Sequence, residues 1–205
     1  MILLFLSNMS YKLLDDLLKY EIFIPRGMSE NEFRDFLKSE IIPKYSSNEH
    51  LICDKVIIYQ NGSLSVECLM GLRSYLLNDN NLIPSNGKIK GLPVAEVDFA
   101  IISLEKYVLL FEHKFGLLRH KGKVQITKNT ILLTYLLGIK TYGLYYSAVS
   151  GYGLYSIGMS LGNEIVLGIF PPNKEVKYIM ISKEELEERI HYAKNSKEIL
   201  KGLKI

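Results

Sequence analysis

Apolar residues recur along the chain with two periods, one typical of helices and one typical of strands. Spacings of three and four residues predict helices over 10–20, 29–41, 63–77, 127–138 and 182–200. Ser29 and Glu32 have the spacing of a capping box, which marks the start of the second helix. Runs rich in Ile, Val and Tyr predict strands over 51–59, 94–103, 107–115, 141–147, 152–158 and 165–170. This order of elements predicts an α/β fold with a mixed central β-sheet flanked by helices.

The length and composition predict one compact domain with three parts. The chain has 205 residues, of which 48% are hydrophobic and 23% are charged, and these values are typical of a globular protein. We expect residues 1–60 to form an N-terminal extension of helix and strand that packs on the core. Residues 61–172 are expected to form the core itself, and residues 173–205 a C-terminal helix.

Two acidic residues interrupt the apolar strands predicted over 94–103 and 107–115. If these strands form a hairpin that turns near Glu105, facing residues have numbers that add up to about 210, and Asp98 faces Glu112. Alternation along a strand places Lys114 on the same face as Glu112 and points His113 to the opposite face. Like charges that face each other are destabilising, and a hard divalent cation between the carboxylates would offset the repulsion. The alternative is that Glu112 and Lys114 form the solvent face of an edge strand.

The net charge of +3 conceals an uneven distribution of charge along the chain. Residues 1–112 carry a net charge of −4, whereas residues 113–163 contain six basic residues and neither Asp nor Glu. A local positive field of this kind attracts polyanions more effectively than the total charge suggests. The segment 119–123, Arg-His-Lys-Gly-Lys, is predicted to be a loop that contacts phosphates, and the alternative is an ordinary solvated loop.

Cysteine content and hydropathy point to an intracellular protein. Cys53 and Cys68 cannot build a zinc or iron–sulfur site alone, and two scattered cysteines suit a reducing cytoplasm. The apolar run at residues 1–6 lacks a basic start and is too short for a signal peptide. Residues 141–163 are uncharged but crowded with Tyr, Gly and Ser, so we do not expect a membrane span.

The acidic pair and its lysine resemble the signature of the PD-(D/E)xK nuclease superfamily. Glu-Val-Asp-Phe-Ala at 96–100 is similar to its first acidic strand, and Phe-Glu-His-Lys-Phe at 111–115 is similar to its Glu-x-Lys strand. Gln125 stands where RecB-like members have a glutamine, although Asn129 replaces their usual tyrosine. The resemblance covers roughly residues 61–170 and implies a restriction-endonuclease-like αβββαβ core.

Several residue roles follow from this resemblance. Asp98, Glu112 and the main-chain carbonyl of His113 would bind Mg²⁺ or Mn²⁺, and Lys114 would position or activate the attacking water. Glu67, expected on the helix over 63–77, would act through a second metal or a metal-bound water, and Gln125 would orient Lys114 or the phosphate. The residues expected to contact the DNA backbone are Arg119, Lys121, Lys123 and Lys128.

The resemblance implies divalent-metal-dependent hydrolysis of DNA. The first hypothesis is a structure-selective endonuclease similar to the archaeal Holliday-junction resolvases, which act as dimers. Alternatives are a RecB-like exonuclease that acts on single-stranded DNA without an iron–sulfur cluster, a restriction-type endonuclease, and a DNA-binding protein that does not cleave. The high Ile, Leu and Tyr content resembles crenarchaeal or crenarchaeal-virus proteins, and a viral protein would act in the host cytoplasm.

Five tyrosines in the strands over 141–158 have two possible functions. Aromatic rings can stack on unpaired bases or form an oligomer interface. Tyrosine is also a favourable residue in any strand, and this plain structural role is the preferred interpretation. The five residues are Tyr142, Tyr145, Tyr146, Tyr152 and Tyr155.

Overall fold

The computed structural model describes residues 12–45, 50–62, 64–70, 82–84, 91–103, 107–193 and 198–203. The helices in these ranges are α1 (residues 12–18), α2 (Glu30–Phe36), α3 (Ile42–Tyr45), α4 (His120–Leu137) and α5 (Lys183–Tyr192), and a π-helical turn over Leu37–Ile41 joins α2 to α3. The strands are β1 (His50–Tyr59), β2 (Leu64–Met70), β3 (Leu82–Pro84), β4 (Pro93–Val97), β5 (Phe99–Ser103), β6 (Tyr107–Lys114), β7 (Thr141–Ser147), β8 (Gly151–Leu161), β9 (Glu164–Ile169) and β10 (Lys177–Ser182).

The strands form one mixed sheet, which confirms the predicted α/β class. Its order is β10-β9-β8-β7-β6-β5-β1-β2-β3, and β4 pairs with β1. Strands β6 and β7 are parallel and are connected through α4, whereas β5 and β6 are antiparallel. The predicted boundary between residues 60 and 61 falls between β1 and β2, which are neighbours in this sheet.

Helices cover both faces of the sheet and enclose two apolar cores. On one face α4 and α5 pack over strand residues such as Val108 and Leu110. On the other face α1, α2 and α3 pack over residues such as Leu109 and Phe111. Successive residues of β6 therefore point into different cores, as side-chain alternation requires. Because both faces are covered, β6 is almost wholly apolar until its last three residues.

The packing of α4 on the sheet depends on two glycines. A Cβ atom at Gly143 would collide with the hydroxyl oxygens of Thr130 and Ser156, and a Cβ atom at Gly158 would collide with the hydroxyl of Thr134. Thr130 and Ser156 are buried and hydrogen-bonded to each other at 2.7 Å. These glycines let the helix lie close to β7 and β8, and they place the N-terminal half of α4 against β6.

Strands β4 and β5 are two halves of one broken strand. The second half of β1 pairs with β4 (Val56 with Val97), and its first half pairs with β5 (Cys53 with Ala100). Asp98 lies in the bend between them. Val97 and Ala100 both face the α4 core although they are three residues apart, so the alternation of side chains is interrupted at this bend.

Three predicted elements were wrong in type or extent. Residues 64–70, predicted as part of a helix, form β2, and residues 71–77 lie outside the described ranges. The apolar residues at 64, 66, 68 and 70 also alternate with period two, and pairing with β1 satisfies that pattern. Helix α4 begins at His120 rather than 127, and α5 ends at Tyr192 rather than near 200. The turn predicted at Glu105 also lies outside the described residues.

Most of the clustered tyrosines fill the cores. Tyr142, Tyr146 and Tyr155 are buried, and Tyr145 and Tyr152 are half-buried. The Tyr146 hydroxyl donates a hydrogen bond of 2.8 Å to the carbonyl oxygen of Pro25, which ties the segment before α2 to the sheet. These positions favour the structural interpretation of the cluster.

The close approach of α4 to the sheet makes a stability prediction. We expect Gly143→Ala to lower the free energy of unfolding by about 1–3 kcal/mol, because the added methyl group collides with buried hydroxyls that have no room to move. Urea denaturation followed by circular dichroism measures the change. Gly116→Ala is the matched control, because no atom lies within 4 Å of its added Cβ. An equal effect of the two substitutions would contradict this account of the packing.

Candidate active site

The β5–β6 register brings the two predicted carboxylates together. Phe99 pairs with Phe111 as the last pair of this register, and Asp98 and Glu112 are the residues that adjoin this pair. The backbone N–H of His113 donates a hydrogen bond to Asp98 Oδ2 at 3.4 Å. Burial is the main cause that raises the pKa of Asp98, and the charge of Glu30 adds to it, while Lys114 and the bond from His113 oppose it. Asp98 therefore lies close enough to Glu112 for its charge to raise the pKa of that residue, although it sits in the bend outside the paired strands.

Glu112 is a fully buried carboxylate with only half of its acceptors satisfied. Its Oε1 accepts a hydrogen bond from Lys114 Nζ, whereas Oε2 has no hydrogen-bond partner among the described residues. Burial, followed by the charge of Asp98, raises its pKa from 4.5 to about 8, and Lys114 and Lys128 act in the opposite direction. The edge-strand alternative is excluded, because β6 lies between β5 and β7 and Glu112 has no exposed surface.

Lys114 reaches Glu112 along a path that depends on Gly122. A Cβ atom at residue 122 would lie 2.9 Å from Lys114 Cε, so the lysine side chain crosses directly over the first turn of α4. The side chain of Lys114 is 30% exposed, whereas that of Glu112 is not exposed at all. The ammonium group therefore lies between a buried carboxyl group and solvent, a position suited to holding a water molecule or an anionic ligand.

A second lysine approaches the same carboxylate from α4. Lys128 is 6% exposed, and its Nζ donates a hydrogen bond of 3.4 Å to the carbonyl oxygen of Val94. Burial lowers its pKa to about 8, and the charge of Glu112 opposes this shift. The prediction that Lys128 contacts DNA at the surface was wrong, because α4 turns this side chain into the protein. Its helical position could be predicted, but the direction in which it points depends on the packing of α4.

Glu30 is an acidic residue whose charge reaches the candidate site, which sequence reasoning missed. It is the first residue of α2, and its charge acts on Asp98 across the fold. It also pairs with Arg34 at 3.4 Å. The capping box at Ser29 predicts the start of this helix, but no local signal indicates that the start lies near the bend at Asp98. Glu67, proposed from the resemblance as the additional acid, lies on β2 instead of a helix, with Lys55 as its backbone partner.

His113 points away from the two carboxylates, as the alternation predicted. Its ring stacks on Tyr146 with the centroids 5.3 Å apart, and its Nε2 lies 3.0 Å from the carbonyl oxygen of Met28. The Phe33 ring is 6.0 Å away. These contacts connect the end of β6 to the beginning of α2, so they position the backbone of the candidate site and the helix that carries Glu30.

The remaining predicted residues lie in the first turns of α4. Arg119 is the N-cap residue, Arg119 and Lys121 are exposed, and Lys123 and Gln125 are half-buried. The expectation of a loop over 119–123 was therefore wrong from His120 onward. No acidic residue occupies the first turn of this helix, and the helix N-terminus adds its own partial positive charge. The turn that packs over Lys114 is consequently electropositive.

The donor set at this site suits a hard divalent cation. Among the residues that the structure describes, no group of three or more His, Cys, Asp or Glu side chains is arranged to hold a metal ion. The charge of Asp98 nevertheless acts on Glu112, and a buried oxygen of Glu112 has no hydrogen-bond partner among the described residues. Oxygen ligands of this kind are those that Mg²⁺ and Mn²⁺ prefer, with water completing the shell. The residues present therefore fit such an ion.

Comparisons with protein-family models, curated proteins and solved structures found no match to this chain. Within the described ranges, no helix is long and apolar enough to cross a membrane.

The raised pKa of Glu112 predicts a pH dependence of stability. The folded protein retains a proton on Glu112 at pH values at which the unfolded chain has lost it. The stability that this group contributes is fully present below about pH 4.5 and is lost as the pH rises through about 8. We therefore measure the urea concentration at half unfolding in EDTA at about pH 5 and at about pH 8. We expect this midpoint to be lower at pH 8 than at pH 5, and we expect the decrease to be smaller in Glu112→Gln than in the wild type. Glu188→Gln, an exposed substitution on α5, should keep the wild-type slope. A wild-type slope in Glu112→Gln would contradict the assignment.

Proposed function

We propose that the chain is a divalent-metal-dependent deoxyribonuclease of the PD-(D/E)xK superfamily. The observation that carries the proposal is the convergence of Asp98, Glu112 and Lys114 where β5 and β6 meet the first turn of α4. Two carboxylates that share a buried site are unfavourable without a cation or a proton, and a lysine beside them can stabilise the charge that develops when a phosphodiester is hydrolysed. This combination has no evident purpose in a purely structural sheet.

The order of elements around the site also supports the proposal. Helices α2 and α3 precede β1, the broken strand β4–β5, β6, α4 and β7. This is the αβββαβ order that the resemblance implies, with β2 and β3 inserted after the first strand and β7 parallel to β6. The core then begins within residues 30–45 and includes β1, earlier than the resemblance to residues 61–170 suggests.

Each side chain has a role that follows from its environment. Asp98 and Glu112 would hold Mg²⁺ or Mn²⁺, and the main-chain carbonyl of His113 remains a proposed third ligand. When bound, the metal ion polarises the phosphate and lowers the pKa of a coordinated water. Lys114, whose side chain is 30% exposed, orients the attacking water. Lys128 is a buried cation near Glu112 and favours the ionised, metal-binding form of that carboxylate.

DNA is the polyanion that this surface suits best. The electropositive turn at Arg119 and Lys121 lies beside Lys114, and the segment 113–163 contains no acidic residue. Backbone phosphates would contact this turn while the scissile phosphate lies over Glu112. We propose a structure-selective endonuclease that acts as a homodimer. A RecB-like exonuclease for single-stranded DNA and a non-cleaving DNA-binding protein are the alternative functions.

A cleavage panel tests the function. We expect the wild type with Mg²⁺ or Mn²⁺ to cut a four-way junction or a circular single strand. Linear duplex should be cut more slowly. Glu112→Gln and Asp98→Asn should each lose about 100-fold or more in rate, because the remaining carboxylate holds the metal poorly. Glu188→Gln serves as the matched acidic control. Products from a circular strand identify an endonuclease, and gel filtration reports the dimer.

Removal of the metal provides an independent readout. EDTA should abolish cleavage, and addition of Mg²⁺ should restore it. In the absence of DNA, Mg²⁺ should raise the thermal denaturation midpoint of the wild type but not that of Glu112→Gln. A metal ion stabilises the folded state only when the folded protein binds it, and Glu112→Gln lacks one of the proposed ligands. If neither variant alters cleavage and Mg²⁺ leaves the midpoint unchanged, the proposed function is wrong.

Gly122 offers a test of how Lys114 is positioned. We expect Gly122→Ala to reduce cleavage by about 10-fold or more, because its methyl group displaces Lys114 Cε from the path to Glu112. Stability should be preserved, since alanine is favoured over glycine in a helix by about 1 kcal/mol and Leu118, the other close neighbour, is only partly buried. Unchanged cleavage in a folded Gly122→Ala protein would show that Lys114 does not need this position.

A further inference from the structure

Three large apolar side chains are exposed beside the candidate site. Phe115 is 75% exposed, Leu117 is 64% exposed and Val149 is 58% exposed. Phe115 and Leu117 lie between β6 and α4, and Val149 lies between β7 and β8. We call these three residues the apolar rim. Single exposed apolar residues are common, but three on neighbouring loops at a site indicate an interaction surface.

The two segments that carry the apolar rim are fixed to each other. Ser147 is fully buried, and its hydroxyl donates a hydrogen bond of 2.8 Å to the carbonyl oxygen of Gly116. The same hydroxyl accepts hydrogen bonds from the backbone N–H groups of Val149 and Ser150, each at 3.2 Å. The N–H of Ala148 in turn donates to the carbonyl oxygen of Lys114 at 3.1 Å. The rim is thus held in place relative to the candidate catalytic lysine, which reduces the entropy lost when a ligand binds to it.

The apolar rim lies between the catalytic lysine and the basic turn of α4. Phe115 follows Lys114 directly, so their Cα atoms are about 3.8 Å apart. Arg119 and Lys121, both exposed, follow Leu117 within four residues. A ligand that reaches Lys114 therefore meets positive charge and exposed apolar surface together. A nucleic acid whose bases are unpaired offers this combination, because its phosphates are anionic and its base faces are free, whereas a duplex stacks its bases inside.

Resting on the proposed function, we propose that the apolar rim contacts the faces of unpaired bases next to the scissile phosphate, so that the substrate is DNA with a single-stranded or unpaired segment at the cleavage position. Phe115 stacks on a base, and Leu117 and Val149 support it from the side. The basic turn binds the adjoining phosphates. Single strands and branched DNA with unpaired bases at the branch point meet this requirement, and continuous duplex does not.

The absence of tryptophan from the chain allows a direct spectroscopic test. Phe115→Trp introduces a single tryptophan into the apolar rim, and Glu112→Gln in the same chain with EDTA prevents cleavage. We expect oligo-dT to quench the tryptophan fluorescence strongly, because stacking brings a base onto the indole ring. An abasic oligonucleotide of the same length and a blunt duplex should quench it weakly. Equal quenching by oligo-dT and the abasic strand would overturn the proposal, since phosphates alone would then account for binding.

Binding measurements separate the rim from the phosphates. In EDTA, Phe115→Ala should weaken binding of oligo-dT by about 10-fold and leave binding of the abasic strand within about 2-fold of wild type. Tyr178→Ala is the matched control, because Tyr178 is 71% exposed on the edge strand β10 and should have no effect. Wild-type affinity of Phe115→Ala for oligo-dT would overturn the proposal. The proposal would also be overturned if the fluorescence of the tryptophan variant changed with protein concentration but not with DNA. The apolar rim would then be a protein interface.

The two proposals fail in different ways. If wild type cleaves DNA with Mg²⁺ but Phe115→Ala cleaves single strand and duplex in the wild-type ratio, the apolar rim does not select the substrate and the nuclease function stands. If oligo-dT binds through Phe115 but no DNA is cut with any metal, the rim contacts bases and the nuclease function is wrong. If no DNA binds or is cut, both proposals are wrong.

Discussion

The buried carboxylate of Glu112 is the constraint on which the arrangement of this end of the sheet depends. Moving an ionised carboxyl group out of water costs several kcal/mol unless cations and hydrogen bonds compensate. The protein brings Lys114 from the same strand and Lys128 from α4 toward it, yet it also places the charge of Asp98 near it. The result is a buried site in which ionising both carboxyl groups is energetically unfavourable. Such a site gains most from binding a cation or from retaining a proton.

This arrangement requires unusually close packing between α4 and the sheet. Gly143 and Gly158 remove two side chains beneath the helix, and Gly122 removes one in its first turn, so that Lys114 can pass between helix and strand. The helix then sets the depth at which Lys128 is buried. The glycines at these contacts therefore influence where the two lysines lie relative to the carboxyl group of Glu112. The glycines of α4, β7 and β8 belong to the construction of the site as much as the charged residues do.

Local signals were sufficient for the part of the site that lies within one hairpin. The turning of His113 away from Glu112 follows from strand alternation, and the short connection between the strands brings Asp98 to the end of β6, where the backbone N–H of His113 contacts it. The same kind of signal failed at 64–70, where helical and alternating patterns overlap and pairing with β1 favours the strand. The nearness of Glu30 to Asp98 and the burial of Lys128 near Glu112 could not be predicted, because both depend on how whole helices pack against the sheet.

The break in the strand at Asp98 connects the two halves of the molecule. Residues on one side of it pair with the second half of β1 and line the α4 core, and residues on the other side pair with the first half of β1. A continuous strand would direct every second residue to one face and could not present an acid to both α2 and β6. The interruption leaves Asp98 where the charge of Glu30 and the backbone of His113 both act on it. Distortion of a central strand thus places an acidic residue beside the buried carboxyl group of Glu112.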